Sequence, residues 1–362
     1  MGGSNMKPQQ LGLKELQPPE YTAEEKEKII QYFMKLKGDL IRQFLEKHEL
    51  LKSGIKSQLR LRILEHLDNG TLEYKDLVNF LDDVSPWEKQ HVILLNGSET
   101  ELRKWRHNTN IQSILIKSRF SRYWNARLPL ILPKQISLSS IVYNEEFREL
   151  KIYAVERRDY LERFEDFDAS DERDGKEVEL RAYVKHVYRG VYTFKWNLIS
   201  NTSTIQISQL PSGDKYEEAY EKFAGLINPL VNIEHFSKLD LRSVIKKLHE
   251  LEDSGPKETR SHVIGYHTID GKSLSAASAT PYDSLLGERV FDQALRSVRD
   301  IGVGHIGNFY WLPSSINSNN NNPLIGEIHT IIVGNKSRIN FTTPNRKEDV
   351  EYVLSRVRAF SQ

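Results

Sequence analysis

"LLKSGIKSQLRLRI", residues 50–63, sets a glycine, spaced basic residues and a leucine–isoleucine ladder within one short span. Gly54 suits a tight turn, because a residue without Cβ tolerates positive φ. Lys56 then stands at the beginning of a helix expected from about Ser57 to Leu67, which Asn69-Gly70 stops. Leu59, Ile63 and Leu67 form its apolar stripe, and Ile55 is placed to cover its entrance. Lys52, Lys56 and Arg60 are left facing outward. The first amides of a helix have no intrahelical partners and attract anions. A basic turn feeding such a helix is therefore a compact grip for a nucleic-acid backbone.

Upstream, Thr22 and Glu25 have the spacing of a capping box. The helix predicted after them carries Ile29, Ile30, Phe33, Leu36, Leu40 and Phe44 on one face. Downstream, a third helix is expected over about Glu73 to Asp82, ended by Ser85-Pro86, and "HVILL" (91–95) reads as a short strand or one more buried turn. These elements make a helical domain of residues 22–97, behind a Pro- and Gln-rich tail (1–21) expected to be disordered.

Residues 36–67 resemble the SAP motif, a small helix–turn–helix module of many chromatin and DNA-repair proteins. The resemblance is carried by the leucine-rich "LKGDLIRQFLEKHEL" and by the spacing Gly54-x-Lys56-x-x-Leu59-x-x-Arg62-Ile63. It implies binding of duplex DNA, often A/T-rich, mainly through the backbone. Lys56 and Arg60 would touch phosphates, with Lys52 and Gly54 in the same turn and Arg62 partly structural. Gly38 departs from a good first helix, costing roughly 1 kcal/mol relative to alanine.

Next comes a connecting segment, 98–135. From Arg103 to Lys134 every charged side chain in it is basic, and Trp105, Phe120, Tyr123 and Trp124 are interleaved. Basic groups pair with phosphates and aromatics stack on exposed bases. Arg103, Arg106, Lys117, Arg119, Arg122, Tyr123 and Arg127 are accordingly candidate DNA contacts. The competing expectation is that the aromatics are core, with arginines stacked over them.

Beyond residue 135 the period becomes two. "ISLSSIVY", "LKIYAV", "VELRAYVKHVY", "VYTFKWNLI" and "STIQISQL" read as strands, followed by helices at 214–226 and 240–251. "DSGPKE" (253–258) is a linker candidate. The last hundred residues read as two strands, a helix (about 285–299), three strands and a helix (346–360), with "NSNNNN" (317–322) a surface loop. The expected class is α+β: the helical domain, then one or two mostly antiparallel sheet-plus-helix domains, 136–252 and 259–362. A helical front part joined to a strand-rich remainder is also the arrangement of some centromere proteins, a resemblance of architecture alone.

Net charge is +1, hiding the basic stretch at 103–134 and an acidic one at 162–179. There is no cysteine, which excludes disulfides, cysteine nucleophiles and Cys-ligated metals, and fits a reducing compartment. No apolar run approaches the ~20 residues of a membrane helix. "MGGSNMKPQQ" lacks the apolar core of a secretory signal, and Met6 spoils its likeness to a myristoylation site. The expected location is cytoplasmic, nucleoid-associated or, in a eukaryote, nuclear.

Signals with a catalytic look are weak. "GVGHIG" (302–307) has the glycines of a dinucleotide fingerprint, but follows a helix and enters a strand. "GYHTIDGKS" (265–273) has one residue too many for a phosphate loop. "DFDASDERDGKE" (166–177) sets Asp166, Asp168, Ser170 and Glu177 at calcium-loop positions, with Asp171 where the glycine belongs. Glu149-Leu150-Lys151 matches half of a nuclease site without a placed aspartate. No cofactor and no metal is expected. The reading is a DNA-binding protein whose C-terminal region serves assembly or partner recognition. Its alternatives are a SAP-targeted nuclease-like or other enzyme of a DNA-processing or defence system, or a protein-interaction adaptor.

Overall fold

The computed structural model describes residues 21–106, 111, 114–115, 120–254, 258–313 and 322–361. The tail and nearly all of "NSNNNN" fall outside these residues. The chain forms two compact units, Met1–Leu81 and Asp82–Gln362.

The first unit is helical: α1 (Ala23–Lys35), α2 (Gly38–Lys47), α3 (Lys56–Asp68) and the greater part of α4 (Tyr74–Val84). The capping box is present, with Thr22 Oγ1 accepting from Glu25 N–H at 3.2 Å and Glu25 Oε2 accepting from Thr22 N–H at 2.9 Å. The single helix predicted through Phe44 is two. Leu36 and Lys37 are extended, with ψ of 155° and 145°, and Gly38 begins α2 instead of lying inside a longer helix. At a helix start its backbone freedom costs less than in an interior. The break also lets Phe33 and Phe44 meet edge-on, ring centroids 4.8 Å apart, in a core with Ile29, Ile41, Leu45, Leu59 and Leu77.

The second unit is built on one 11-stranded antiparallel sheet. Its strands are β1 (Gln90–Asn96), β2 (Ser137–Asn144), β3 (Glu149–Arg163), β6 (Tyr183–Asn197), β7 (Thr202–Ser208), β8 (Ser237–Lys238), β9 (Thr259–His267), β10 (Ser273–Ala277), β11 (Val303–Trp311), β12 (Ile328–Val333) and β13 (Arg338–Phe341). The order is β10-β9-β11-β12-β13-β1-β7-β6-β3-β2, with β8 beside β1. β4 (Ala169–Arg173) and β5 (Lys176–Leu180) pair separately. Its helices include α5 (Glu99–Trp105), α6 (Tyr216–Ile227), α7 (Arg242–Ser254), α8 (Arg289–Ile301) and α9 (Lys347–Phe360). The class is α+β.

The two strand-rich segments thus share a sheet, and "HVILL" joins them at its centre. Ile93 and Leu95 enter one core with Ile152, Phe194, Trp196 and Ile205, beside α5 and α6. Val92 and Leu94 enter another with Tyr266, Phe309, Trp311, Ile332 and Ile339, beside α7, α8 and α9. Successive side chains of a strand point to opposite faces. β1 is buried on both, which is why it is an unbroken apolar run.

"VELRAYVKHVY" breaks at Arg181–Ala182, where β5 ends and β6 begins. The acidic segment runs from the end of β3 into the β4–β5 hairpin, turned by Asp174 and Gly175 at φ of 53° and 71°. "GVGHIG" lies mostly in β11. A Cβ on Gly304 would stand 2.6 Å from the Arg242 carbonyl oxygen, so this glycine serves close packing of α7 on the sheet.

Candidate nucleic-acid interface

The turn between α2 and α3 has Gly54 at φ 120°, a conformation that side chains rarely adopt. A Cβ there would also stand 2.7 Å from Gln58 Oε1. Arg62 braces the turn from within, donating from Nη1 to the carbonyl oxygens of Leu51 (2.5 Å) and Ser53 (2.9 Å). Its part here is structural. Arg42 adds a longer contact to the Gly54 carbonyl at 3.4 Å.

α3 starts one residue earlier than its sequence suggests, and its N-cap is Ile55, which has no side-chain acceptor. Gln58 Oε1 turns back to accept from Ile55 N–H at 3.0 Å. The first amides of α3 are therefore without a side-chain cap, in contrast to those of α1. Lys56 and Arg60 are exposed beside them, four residues apart and so on neighbouring turns of one face. Among the described residues neither makes an ion pair within 4.0 Å. Leu59 and Ile63 are buried and Leu67 half-buried, as the stripe requires.

Two expectations for this turn change. Ile55 does not cover the helix entrance but is 66% exposed, because its extended backbone at the cap turns the side chain outward. Lys52 is outward-facing yet already paired with Glu46 at 2.5 Å, so less of its charge is available to a phosphate.

Arg60 also lines a groove of about 670 Å³ with Lys26, Ile30, Met34, Lys35 and Tyr74. Lys26 Nζ stands 5.3 Å from the centre of the Tyr74 ring. Nothing in the local sequence marks Lys26 and Lys35. They lie on α1, and only the tertiary packing of α1 beside α3 brings them to Arg60.

The basic aromatic stretch belongs to the second unit. Trp105 is fully buried and Phe120 nearly so, both in the core beside α5 and α6, so neither has a face free for a base. Tyr123 and Trp124 pack against the same core. Arg122 donates from Nη2 to the Tyr123 hydroxyl at 2.6 Å and lies over its ring. The packing expectation prevails for the aromatics. Arg103, Arg106, Arg122 and Arg127 remain exposed, while Lys117 and Arg119 lie outside the described residues.

Glu149 of the half-nuclease pair, but not Lys151, lines a cavity of about 230 Å³ together with Lys195, Glu351 and Arg358. Lys195 is shared between Glu149 at 2.9 Å and Glu351 at 2.7 Å, and Lys151 adds a second bond to Glu149 at 2.9 Å. Burial pushes the Glu149 carboxyl up, but the two lysines more than reverse this and leave it below the usual range. Two carboxylates do converge here, with a lysine between them. Among the described residues no group of three or more His, Asp or Glu is arranged to hold a metal ion, and no helix is long and apolar enough to cross a membrane.

No family model matches this chain, and no curated protein matches it.

Proposed function

We propose that the N-terminal unit binds duplex DNA, gripping phosphates at the start of α3 through a SAP-like hairpin. The supporting observation is the juxtaposition of Lys56 and Arg60, both exposed, with helix amides that no side chain caps. Lys26 and Lys35 extend the basic surface along α1, and Lys52 and Gly54 shape its turn. Arg103, Arg106, Arg122 and Arg127, each exposed on the second unit, would add phosphate contacts. The α+β unit then serves assembly or partner recognition.

The test is binding of the full chain to a labelled duplex across a salt series. Phosphate contacts release counterions, so log affinity should fall steeply and linearly with log salt. Lys56→Glu with Arg60→Glu should abolish most of the affinity while circular dichroism stays unchanged. Flat affinity across the series, or normal binding by the folded double variant, would refute the grip.

A second reading is favoured by one observation: Leu51, Ile55 and Leu61 are 63%, 66% and 64% exposed on the same hairpin. Apolar side chains rimmed by charge suit a protein partner. Under that reading Ile55→Ser with Leu61→Ser removes function and leaves DNA affinity as it was.

A further inference from the structure

β10 ends the sheet, and among the described residues nothing pairs with its outer edge. The opposite edge is treated differently. There Trp124 forms a bridge with Ile141 of β2, and Asn125 donates its amide to the Ile141 carbonyl, so a loop lies over that strand. β10, "SLSAA", has no charge, no proline and no irregularity in its register with β9. Those are the devices by which edge strands ordinarily discourage pairing.

The register fixes what this edge offers. Thr268 N–H donates to the Lys272 carbonyl and Ser278 N–H to the His262 carbonyl, so residues 272 and 278 turn their backbone groups toward β9. Backbone direction alternates along an antiparallel strand. The N–H and C=O groups of Ser273, Ser275 and Ala277 therefore point out of the sheet.

The helix above this edge is also incomplete. α7 packs on β9 and β11 and against α9, and α8 shares a buried core with Ala276 of β10 and Tyr266 of β9. Leu295 faces the sheet and is buried, while Arg296 and Arg299 reach Asp253 of α7 at 2.5 and 3.3 Å. With 3.6 residues per turn, the flank turned away from α7 carries Val290, Ala294 and Ile301. Val290 is 79% and Ile301 66% exposed, and Ala294 is exposed beside them. The second unit thus leaves open a strand edge and, on a helix that shares a buried core with that strand, an apolar flank.

We propose that a second copy of this chain joins this border, β10 pairing antiparallel with its own counterpart about a two-fold axis at Ser275, so that two sheets become one. The strand is self-complementary in that register. Ser273 falls opposite Ala277 of the second copy, Leu274 opposite Ala276, and Ser275 opposite itself. Every outward N–H and C=O meets its counterpart, and no charge faces a like charge, since Lys272 falls opposite Ser278. The same axis sets the two exposed α8 flanks side by side, the isologous arrangement of a closed dimer. This makes specific the assembly role proposed for the α+β unit and is independent of the DNA grip. A monomer that binds DNA overturns this inference alone.

The chain has no cysteine, so Ser275→Cys supplies a single thiol at the axis. Hydrogen-bonded antiparallel partners have Cα atoms about 5.5 Å apart, within disulfide range. Sedimentation equilibrium of the full chain from about 1 to 100 µM should show a monomer–dimer equilibrium. Ser275→Cys should crosslink to a covalent dimer under mild oxidation. Ser275→Lys, which sets two ammonium groups face to face, and Val290→Glu, at a site too exposed to affect folding, should each weaken dimerisation at least tenfold with an unchanged melting temperature. A monomer throughout the range overturns the proposal. So does a dimer that Ser275→Cys fails to crosslink, or one that Val290→Glu leaves intact.

Discussion

The guanidinium of Arg62 reaches back along the hairpin to the carbonyl oxygen of Ser53, 2.9 Å away. The same nitrogen also serves Leu51. These bonds hold the turn that presents Gly54 and Lys56, so Arg62 acts on the candidate interface through backbone position. Arg62→Ala should destabilise the N-terminal unit by about 1–3 kcal/mol, the cost of leaving such carbonyls without a charged donor. Thermal unfolding followed by circular dichroism reads it. An unchanged melting temperature would mean that the turn stands without this brace.

Trp105 sits in a stretch whose composition suggests base stacking, yet its side chain is fully buried. Trp105→Ala should cost about 3–5 kcal/mol through lost packing. DNA affinity per folded molecule should not change. A variant that keeps its stability and loses affinity would reinstate this tryptophan as a contact.

The helical hairpin around Gly54 was legible because its information is local. Gly54, the stripe at Leu59 and Ile63, and the cap at Thr22 and Glu25 act within a few residues of themselves. The strands and helices of the last hundred residues were legible for the same reason. The single sheet was not, since nothing local shows that β1 pairs with β13, some 250 residues away. Nor did period and charge separate Trp105 and Phe120 from surface aromatics. Burial in the core is settled by α5, α6 and the sheet together. Gly38, costly inside a helix, stands at a helix start instead, which local sequence alone does not show.

His249 is buried in the second core, its Nδ1 2.7 Å from the Tyr266 hydroxyl. Burial, aided by the nearby Arg299 guanidinium, pushes its imidazole down to about 4. The unfolded chain takes up this proton near pH 6.5. Between the two values the unfolded state binds more protons, so stability rises with pH. The contribution of the neutral ring is complete above about pH 6.5 and is lost as pH falls toward 4, a change on the order of 3 kcal/mol. His249→Phe should flatten the stability profile in that window. Some slope should survive from His91, which burial likewise pushes down, to about 3. Urea titrations at pH 4.5, 5.5, 6.5 and 7.5 would show it, and an unchanged slope in the variant would place the titration elsewhere.

Counting phosphate contacts offers the sharpest test of the hairpin. Each cation that neutralises a phosphate adds about 0.9 to the slope of log affinity against log salt. Lys56→Gln and Arg60→Gln should each lower that slope by about one, and together by about two. Lys52→Gln should lower it by less, because Glu46 already holds that ammonium. Leu59→Ala is the control for packing: a fully buried leucine lost from this core costs about 2–5 kcal/mol. At a temperature where it stays folded, it should bind with the parent slope. If Lys52→Gln instead lowers the slope as much as Lys56→Gln, the Glu46 pair opens on binding and the grip begins earlier in the turn. If neither Lys56→Gln nor Arg60→Gln moves the slope, α3 does not meet the backbone, and Arg103, Arg106, Arg122 and Arg127 become the residues to neutralise next.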